Sequence, residues 1–270
     1  MAAVFEAKGR PRFNPMIAHV TGLDAAGRIA VFDDRARVLA ETFWPGPLTI
    51  VAPISDSIAV CDLARAGLDT VAVRAPDHPV AQAVLAAFGG VIAAPSANRS
   101  GRPSPTTYAD AVEETGAFAG AALDGGPCRV GLESTVVSVL DGRVSLLRPG
   151  GIAREQIEAV VGPLSDSEDG HRSPGRLARH YAPSAPVRLD VTHPASGHAY
   201  IAFGPGAPSG ELVWNLSAVG DLAEAAANLF AHLRAADRAA PSGIDVAPIP
   251  AHALGEAIND RLKRAAGLVG

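Results

Sequence analysis

Cysteine is scarce in this sequence. Cys61 and Cys128 are too few for a disulfide framework, and they have neither the spacing nor the histidine neighbours of a zinc site. No apolar run reaches the roughly 18 residues that a membrane helix needs, and charged residues follow Met1 too closely for a signal peptide. These absences exclude a membrane or secreted class, so we expect a cytoplasmic protein.

The short motifs of several enzyme classes are also missing. The sequence contains no GxxxxGK[ST] phosphate loop, no GxGxxG fingerprint, no GxSxG elbow and no HExxH pair. The sequence therefore does not support a P-loop nucleotide site, a Rossmann cofactor site or a serine-hydrolase mechanism. A dedicated transition-metal site is not expected, and we assign no residue as a metal ligand.

Apolar content and even charge are what the chain does have. Hydrophobic residues make up 48% of the 270 positions and charged residues 19%, which is enough apolar material for a folded core. The 23 basic and 28 acidic side chains give a net charge of −5 and are spread evenly. That distribution argues against non-specific electrostatic binding of nucleic acid, although it is compatible with a local basic pocket.

Apolar runs bounded by glycine and proline predict strands, and helical spacing predicts helices between them. Strands are predicted over 47–53, 69–76, 91–97, 121–126, 134–140 and 143–150, and helices over 78–88, 106–115 and 153–161. Asp141 and Gly142 lie between two predicted strands and indicate a two-residue hairpin. The fold class is therefore α/β with a mixed sheet over residues 1–162.

Residues 163–186 are predicted to be a linker because they hold four prolines and a Ser/Asp/Gly cluster without periodicity. This linker contains HYAP, in which Tyr181 lies beside His180. Long irregular segments are often lids or binding segments. Short strands and two helices follow, which predicts a small second α/β domain over 187–270.

Two loops are candidates for anion binding. Lys8, Arg10 and Arg12 lie within five residues and are pinned by prolines, so they could face one anion; the alternative is a charged helix end followed by a turn. The segment from Ala94 to Gly101 follows a predicted strand and precedes a helix, where hydroxyls and amides suit a phosphate or ribose. An ordinary turn with a helix N-cap has the same composition.

Other candidates are single residues within or beside strands. Arg74 lies inside a predicted strand, where a buried guanidinium needs an anion, either Asp77 or a ligand carboxylate. Arg148 ends another predicted strand. The segment FWPGPLT, over 43–49, is interpreted as an aromatic turn with a structural role.

Nine short segments of the sequence, including those discussed above, occur together and in a fixed order. They are KGRPRFNPMIAHV, FWPGPLT, TVAVRAPDHP, APSANRSGRPSPT, LDGG, GLESTVV, LLRPG, SPGRLARHYAPSAP and LGEAINDRLKRAA. In this order they resemble the two-domain form of the threonylcarbamoyl-AMP synthase family over nearly the whole chain. The resemblance implies a YrdC-like domain with a mixed twisted sheet, a linker over the active site and a small Rossmann-like domain.

The resemblance also implies a reaction. Members of that family are nucleotidyltransferases that condense L-threonine, bicarbonate and ATP, with Mg²⁺ carried by the ATP, into threonylcarbamoyl-AMP and pyrophosphate. The product is passed to the machinery that makes threonylcarbamoyladenosine in tRNA. Such chemistry needs fixed cations and hydrogen-bond donors rather than a protein nucleophile.

Carried over residue by residue, the resemblance implies two groups of ligands. The residues expected at ATP are Lys8, Arg10, Asn14, Thr70, Ser96, Asn98, Ser104, Arg148 and Tyr181, of which Lys8 and Arg10 are the catalytic pair. The residues expected at threonine are His19, Arg74, Ser134 and the backbone of Ala94. Tyr181 would close over the nucleotide and exclude water.

One family segment does not occur in this sequence, namely an N-terminal strand followed by residues close to PTETVYGLG that contact threonine. Two interpretations fit: a start placed too late, or a truncated relative with an impaired threonine site. For this chain we expect low stability, which a cooperative melt of a monomer would contradict.

Two other functions stay open at this point. One is a non-catalytic module that binds RNA or nucleotides, and tRNA binding is compatible with the main reading although not required by it. The other is a carbamoyl-transfer domain of the hydrogenase-maturation kind, which shares only the first domain.

Overall fold

The computed structural model describes residues 1–55, 59–166 and 180–268. The chain divides into two units. Unit 1 comprises Met1–Ser96 and Glu133–Arg176, and unit 2 comprises Ala97–Leu132 and Leu177–Gly270. The segment 97–132 therefore lies with the C-terminal part of the chain, although strands of unit 1 both precede and follow it.

Unit 1 is built on a seven-stranded mixed sheet in the order β4-β1-β3-β2-β5-β6-β7. Its strands are β1 Ile17–His19, β2 Leu48–Pro53, β3 Thr70–Arg74, β4 Ile92–Ala94, β5 Thr135–Leu140, β6 Arg143–Arg148 and β7 Ser165–Asp166. Its helices are α1 Ala2–Lys8, α2 Leu23–Ala26, α3 Asp34–Phe43, α4 Asp62–Arg65, α5 Pro79–Phe88 and α7 Arg154–Val161. The pairs β1–β3, β2–β5 and β6–β7 are parallel, and β1–β4, β2–β3 and β5–β6 are antiparallel.

Local sequence sets several of these boundaries. The Asp33 side chain accepts a hydrogen bond from the Ala36 amide at 2.9 Å and starts α3. Helix α5 begins at a proline and ends at Phe88, where it is capped by Gly89, whose φ of 70° favours glycine. The predicted hairpin at Asp141 and Gly142 joins β5 to β6, with φ of 51° and 69°, and is confirmed.

The two faces of this sheet differ in what they bury. One face carries the main core, in which Ala18, Ile50, Val73 and Val137 pack together with residues of α3 and α7. The other face carries a small apolar cluster made of Ile17, Val51, Ala72, Val136 and Leu147. Strand side chains alternate between faces, so each strand contributes to both. The second face has few apolar positions, which leaves room on it for polar side chains.

Unit 2 contains a four-stranded parallel sheet in the order β10-β9-β11-β8. Its strands are β8 Val187–Arg188, β9 His198–Ala202, β10 Val213–Asn215 and β11 Gly243–Val246, and its helices are α6 Tyr108–Thr115, α8 Leu222–Arg238 and α9 Leu254–Ala265. The core gathers Ile201, Leu229, Phe230 and Ile258 from the sheet, α8 and α9. The predicted α/β character of the C-terminal region is confirmed.

Some predictions about elements are wrong or fall outside the description. Residues 121–126, predicted as a strand, form no strand and are exposed. Of the predicted linker 163–186, residues 167–179 lie outside the described residues, and 180–186 contain neither helix nor strand. The predicted domain limits, 1–162 and 187–270, therefore stay a prediction.

Candidate active site

The register of the unit 1 sheet places six predicted site residues on one face. They are His19, Thr70, Arg74, Ala94, Ser134 and Arg148. His19 lies directly opposite Arg74, and Ala94 lies opposite Ile17, two residues before His19. Residues that are paired, or two apart on one strand, point to the same side. This face also carries the small apolar cluster, so polar groups surround an apolar floor.

The polar groups divide between two ends of that face. Thr70 and Arg74 begin and end β3, so their Cα atoms are about 13 Å apart. His19 and Arg74 share one end, where Thr49 of β2 brings in Ser134 through a hydroxyl contact of 2.7 Å. We call this the carboxylate end because Arg74 is the residue expected to bind a carboxylate. Ala94 lies on the edge strand β4, level with Ile17 of β1 and Ala72 of β3.

A β-bulge turns Arg148 onto this face. Val136 of β5 pairs with Arg148 of β6, and Leu147 is the extra residue of β6 that forms the bulge. In a regular ladder Leu147 would oppose Val136, and Arg148 would point to the main core. Instead the buried Arg148 guanidinium donates from Nη2 to the Ser134 carbonyl at 2.8 Å and to its Oγ at 3.3 Å. Arg148 is thereby fixed at the carboxylate end.

A close backbone approach holds the turn after Arg148 in place. A Cβ atom at Gly150 would lie 2.5 Å from the Glu133 carbonyl oxygen and 2.5 Å from the Thr135 amide nitrogen. The Thr135 hydroxyl donates to the Ile152 carbonyl at 2.6 Å and clamps the same turn. The LLRPG and GLEST segments must therefore meet through a glycine.

Arg74 is oriented by the aromatic turn that precedes β2. Its Nε donates to the Gly46 carbonyl at 3.0 Å, and the Gly46 amide donates to Ala75 at 2.8 Å. A Cβ atom at Gly46 would lie 2.2 Å from the Phe43 carbonyl oxygen, so only glycine fits. The structural role predicted for FWPGPLT missed this contribution to the site. A glycine between two prolines was the signal that could have found it.

His19 is neutral at pH 7. Burial and the neighbouring Arg74 charge lower its pKa to about 4. Its Nδ1 lies 3.2 Å from the Ile92 carbonyl, which can only accept, so Nδ1 carries the proton. The other ring nitrogen, Nε2, is then a hydrogen-bond acceptor, and His19 adds no positive charge to that of Arg74.

Lys8 and Ser96, predicted from separate motifs, are brought together. Lys8 lies in the last turn of α1, is 7% exposed, and donates from Nζ to the Ser96 carbonyl at 2.6 Å. Ser96 follows β4 and is exposed. The ammonium group is therefore fixed next to the loop predicted to bind phosphate.

Arg10 stabilises the loop that follows Lys8 by bonding to the backbone of that loop. Arg10 donates from Nε to the Asn14 carbonyl at 3.2 Å and from Nη2 to the Pro15 carbonyl at 2.7 Å. The Asn14 side chain is buried, and its Nδ2 has no hydrogen-bond partner within the described residues. A buried amide donor without a partner fits a ligand oxygen.

The three remaining predicted residues, Asn98, Ser104 and Tyr181, belong to unit 2. Asn98 donates from Nδ2 to the carbonyls of Arg99 and Arg102, at 2.9 Å each, and so folds its own loop. Ser104 is buried in the same loop. The Ala182 amide donates to the Gly101 carbonyl at 2.8 Å, so HYAP is attached to this loop.

The structure places the Tyr181 ring inside unit 2. It is 1% exposed and packs in the core of unit 2, 5.3 Å from the Phe230 ring, with the Arg261 guanidinium 5.2 Å from its centroid. Its φ of 61° is unusual for a bulky residue. The ring is thus part of the core of unit 2, and its predicted closure over the nucleotide stays a prediction.

The candidate site is made mostly of polar side chains. Its side chains are cations, hydroxyls and amides, and no group of three His, Cys, Asp or Glu residues within the described ranges is placed to hold a metal ion. The described helices are all too short or too polar to cross a lipid bilayer.

Family models match both parts of the chain. Residues 1–150 match the family described as "Telomere recombination", which groups Sua5, YciO and YrdC, and residues 152–267 match "Threonylcarbamoyl-AMP synthase, C-terminal domain". Relatives match almost end to end. The threonylcarbamoyl-AMP synthase of Bacillus subtilis is 37% identical over 98% of this chain and 82% of its own length, and that of Pyrococcus abyssi is 38% identical over 98% and 83%.

Solved structures agree with these matches. P. abyssi Sua5 complexed with L-threonine superposes with a TM-score of 0.89 at 37% identity, over 98% of this chain and 84% of that one. A P. abyssi Sua5 variant with a neighbouring histidine and tyrosine replaced by alanine superposes with a TM-score of 0.84 at 34% identity, over 98% and 83%. The predicted mixed α/β fold in two domains is confirmed.

Proposed function

The chain belongs to the threonylcarbamoyl-AMP synthase family, and on that premise we propose that it condenses L-threonine, bicarbonate and ATP into threonylcarbamoyl-AMP and pyrophosphate. Family membership makes it an ATP-using transferase. The finer assignment as a nucleotidyltransferase, and activity in this chain, are parts of the proposal.

The proposed reaction needs no protein nucleophile. The amino group of threonine takes up bicarbonate as a carbamate and water is lost. A carbamate oxygen then attacks the α-phosphorus of ATP, and pyrophosphate leaves. The protein contributes by holding the reactants together and by neutralising charge on the phosphates.

The carboxylate end suits threonine. Arg74, oriented by Gly46, would hold the substrate carboxylate. Neutral His19 offers the Nε2 lone pair to the amino group instead of repelling it. The Ser134 hydroxyl and the Ala94 backbone would complete the amino-acid site.

The other predicted cations suit the triphosphate. Lys8 and Arg10 would neutralise phosphate charge, and Asn14 supplies a buried amide donor. Thr70 and Ser96, together with Arg148 from the carboxylate end, would complete the ATP site. Mg²⁺ would arrive with ATP as part of the substrate and be held by phosphate oxygens, since these side chains bind anions.

Unit 2 supplies the remaining proposed contacts. Asn98, Ser104 and Tyr181 would bind the nucleotide from the loop and HYAP segments described above. Excluding water there matters because both the carbamate and the mixed anhydride decompose in it. We propose that the product is consumed by a transferase that modifies adenosine in tRNA.

The direct pairing of His19 with Arg74, on a face that also holds Ser134 and Arg148, carries the proposal. The test is pyrophosphate release from ATP, with threonine and bicarbonate each present or omitted. We expect release only when both are present. Release that ignores threonine, or tight tRNA binding without turnover, would contradict the proposal.

A matched pair of variants ties the activity to this face. Arg148→Ala removes a buried guanidinium at the end of β6, whereas Arg143→Ala removes an exposed one at the start of the same strand. We expect the first to abolish threonine-dependent release and the second to leave it unchanged. Equal losses would mean that the face does not hold the site.

A further inference from the structure

Helix α8 of unit 2 reaches the loop that carries Asn98 and Ser104. Arg234 lies in this helix and is 5% exposed. It donates from Nη2 to the Pro103 carbonyl at 2.6 Å and from Nε to the Ser104 carbonyl at 3.4 Å. A residue from the C-terminal family match thus fixes the backbone of a loop that lies in the N-terminal family match.

Glu114 of α6 holds the other part of the same loop. Its Oε2 accepts from the Arg99 amide at 3.0 Å, and its Oε1 accepts from Arg102 Nε at 3.0 Å. Glu114 also pairs with Arg234, at 3.1 Å. Both charges are almost fully buried, so each depends on the other and on the loop for its partners.

Most of these contacts act on the backbone of the loop, and one contact of Glu114 acts on the Arg102 side chain. Arg234 uses two carbonyls, Glu114 uses one amide, and Asn98 ties two further carbonyls together. The loop has neither helix nor strand of its own between residues 97 and 107. Its shape is therefore set by Arg234 of α8 and Glu114 of α6 together with the Asn98 side chain of the loop itself.

We propose that Arg234 is a positioning residue for ATP, which holds residues 98–104 in the shape that binds the nucleotide. This inference rests on the proposed function, because that function places ATP at this loop. It assigns the C-terminal part of the chain a role in nucleotide binding. Arg234 would not touch the reacting atoms.

Arg238 provides a matched control one turn further along α8. It forms ion pairs with Asp110 and Glu113, both on α6, and its side chain is 53% exposed. Arg234→Gln and Arg238→Gln therefore both remove a link between α8 and α6. Only the first removes the contacts to the loop.

The experiment measures KM for ATP, KM for threonine and kcat in the full chain. For Arg234→Gln we expect KM for ATP to rise about tenfold or more, with KM for threonine changed less than about twofold. Arg238→Gln should keep the KM values of the unsubstituted chain. Equal rises in both KM values, or equal effects of both variants, would overturn the proposal.

Two further measurements keep the test decisive. Arg234→Lys keeps the positive charge but lacks the bidentate guanidinium donor, so its ATP affinity should lie between those of Arg234→Gln and the unsubstituted chain. Arg234→Lys also replaces Arg234→Gln if that variant does not fold. ATP binding measured by calorimetry needs no turnover. An unsubstituted chain that binds ATP but releases no pyrophosphate would refute the proposed reaction alone. Unchanged ATP binding by Arg234→Gln would refute the positioning role alone, and a chain that does not bind ATP would refute both.

Discussion

His19 and Arg74 lie directly opposite each other on parallel strands β1 and β3, and the charge of the arginine helps to keep the histidine neutral. This pair therefore presents one positive charge and one lone pair. Under the proposed function, the threonine carboxylate would bind the cation and the threonine amino group would donate to the lone pair. Arg74 thus supplies the positive charge of this pair, and the neutral His19 supplies a hydrogen-bond acceptor.

The same pair predicts how stability depends on pH. The His19 pKa is about 4 in the folded chain and 6.5 ordinarily, so between these values the unfolded chain binds more protons. Stability should rise with pH across this window, and up to about 3 kcal/mol should be missing near pH 4. Urea unfolding of the unsubstituted chain and of His19→Gln from pH 7 to 4 measures it.

His19→Gln should flatten that dependence because glutamine does not titrate. His78→Gln, at an exposed histidine of the same unit, is the control and should keep the slope. Equal slopes for the His19 variant and the unsubstituted chain would show that His19 is not buried neutral.

Arg74→Lys should impair threonine recognition selectively. Lysine keeps the charge but loses both the planar donor pair and the Nε contact to Gly46. We expect KM for threonine to rise about 10- to 100-fold, with KM for ATP changed far less. The exposed Arg143→Lys serves as the control in the same pyrophosphate assay. A parallel rise in both KM values would argue against a carboxylate contact.

The sequence predicted the long regular elements of this fold better than the short ones. Strands β2, β3, β5 and β6 were predicted because each carries a β-branched apolar run bounded by turn residues. Strand β1 has three residues and no visible alternation, and it forms only because β3 and β4 pair with it. Residues 121–126 have an apolar run but pair with no strand, so local pattern alone was misleading there.

The sequence displays the side chains of the candidate site but not what positions them. Lys8 and Arg74 are charged groups beside prolines or within strands, which the sequence displays. Thr49 and Arg234 act on residues distant in sequence, and nothing local marks them, whereas the only local sign of Gly46 is its place between two prolines. The bulge at Leu147 was equally hidden, since an inserted apolar residue in LLR only lengthens an apolar run.

Gly150→Ala should destabilise unit 1. The new methyl group would lie 2.5 Å from backbone atoms of Glu133, Ser134 and Thr135, and backbone cannot rotate away as a side chain can. We expect a loss of about 2 kcal/mol or more in the free energy of unfolding, measured in urea. Gly22→Ala places a methyl group where nothing lies within 4 Å, in extended backbone, and should cost less than about 1 kcal/mol.

Tyr181 needs two substitutions to separate packing from nucleotide contact. Tyr181→Ala removes a buried ring between Phe230 and Arg261, so roughly 3 to 5 kcal/mol of stability should be lost whether or not ATP is bound. Loss of activity in that variant therefore says nothing about a hydroxyl contact. Tyr181→Phe keeps the ring and removes only the hydroxyl group. If the hydroxyl binds the nucleotide, KM for ATP should rise about 3- to 30-fold in Tyr181→Phe without a matching fall in melting temperature. An unchanged KM for ATP would limit Tyr181 to the core of unit 2.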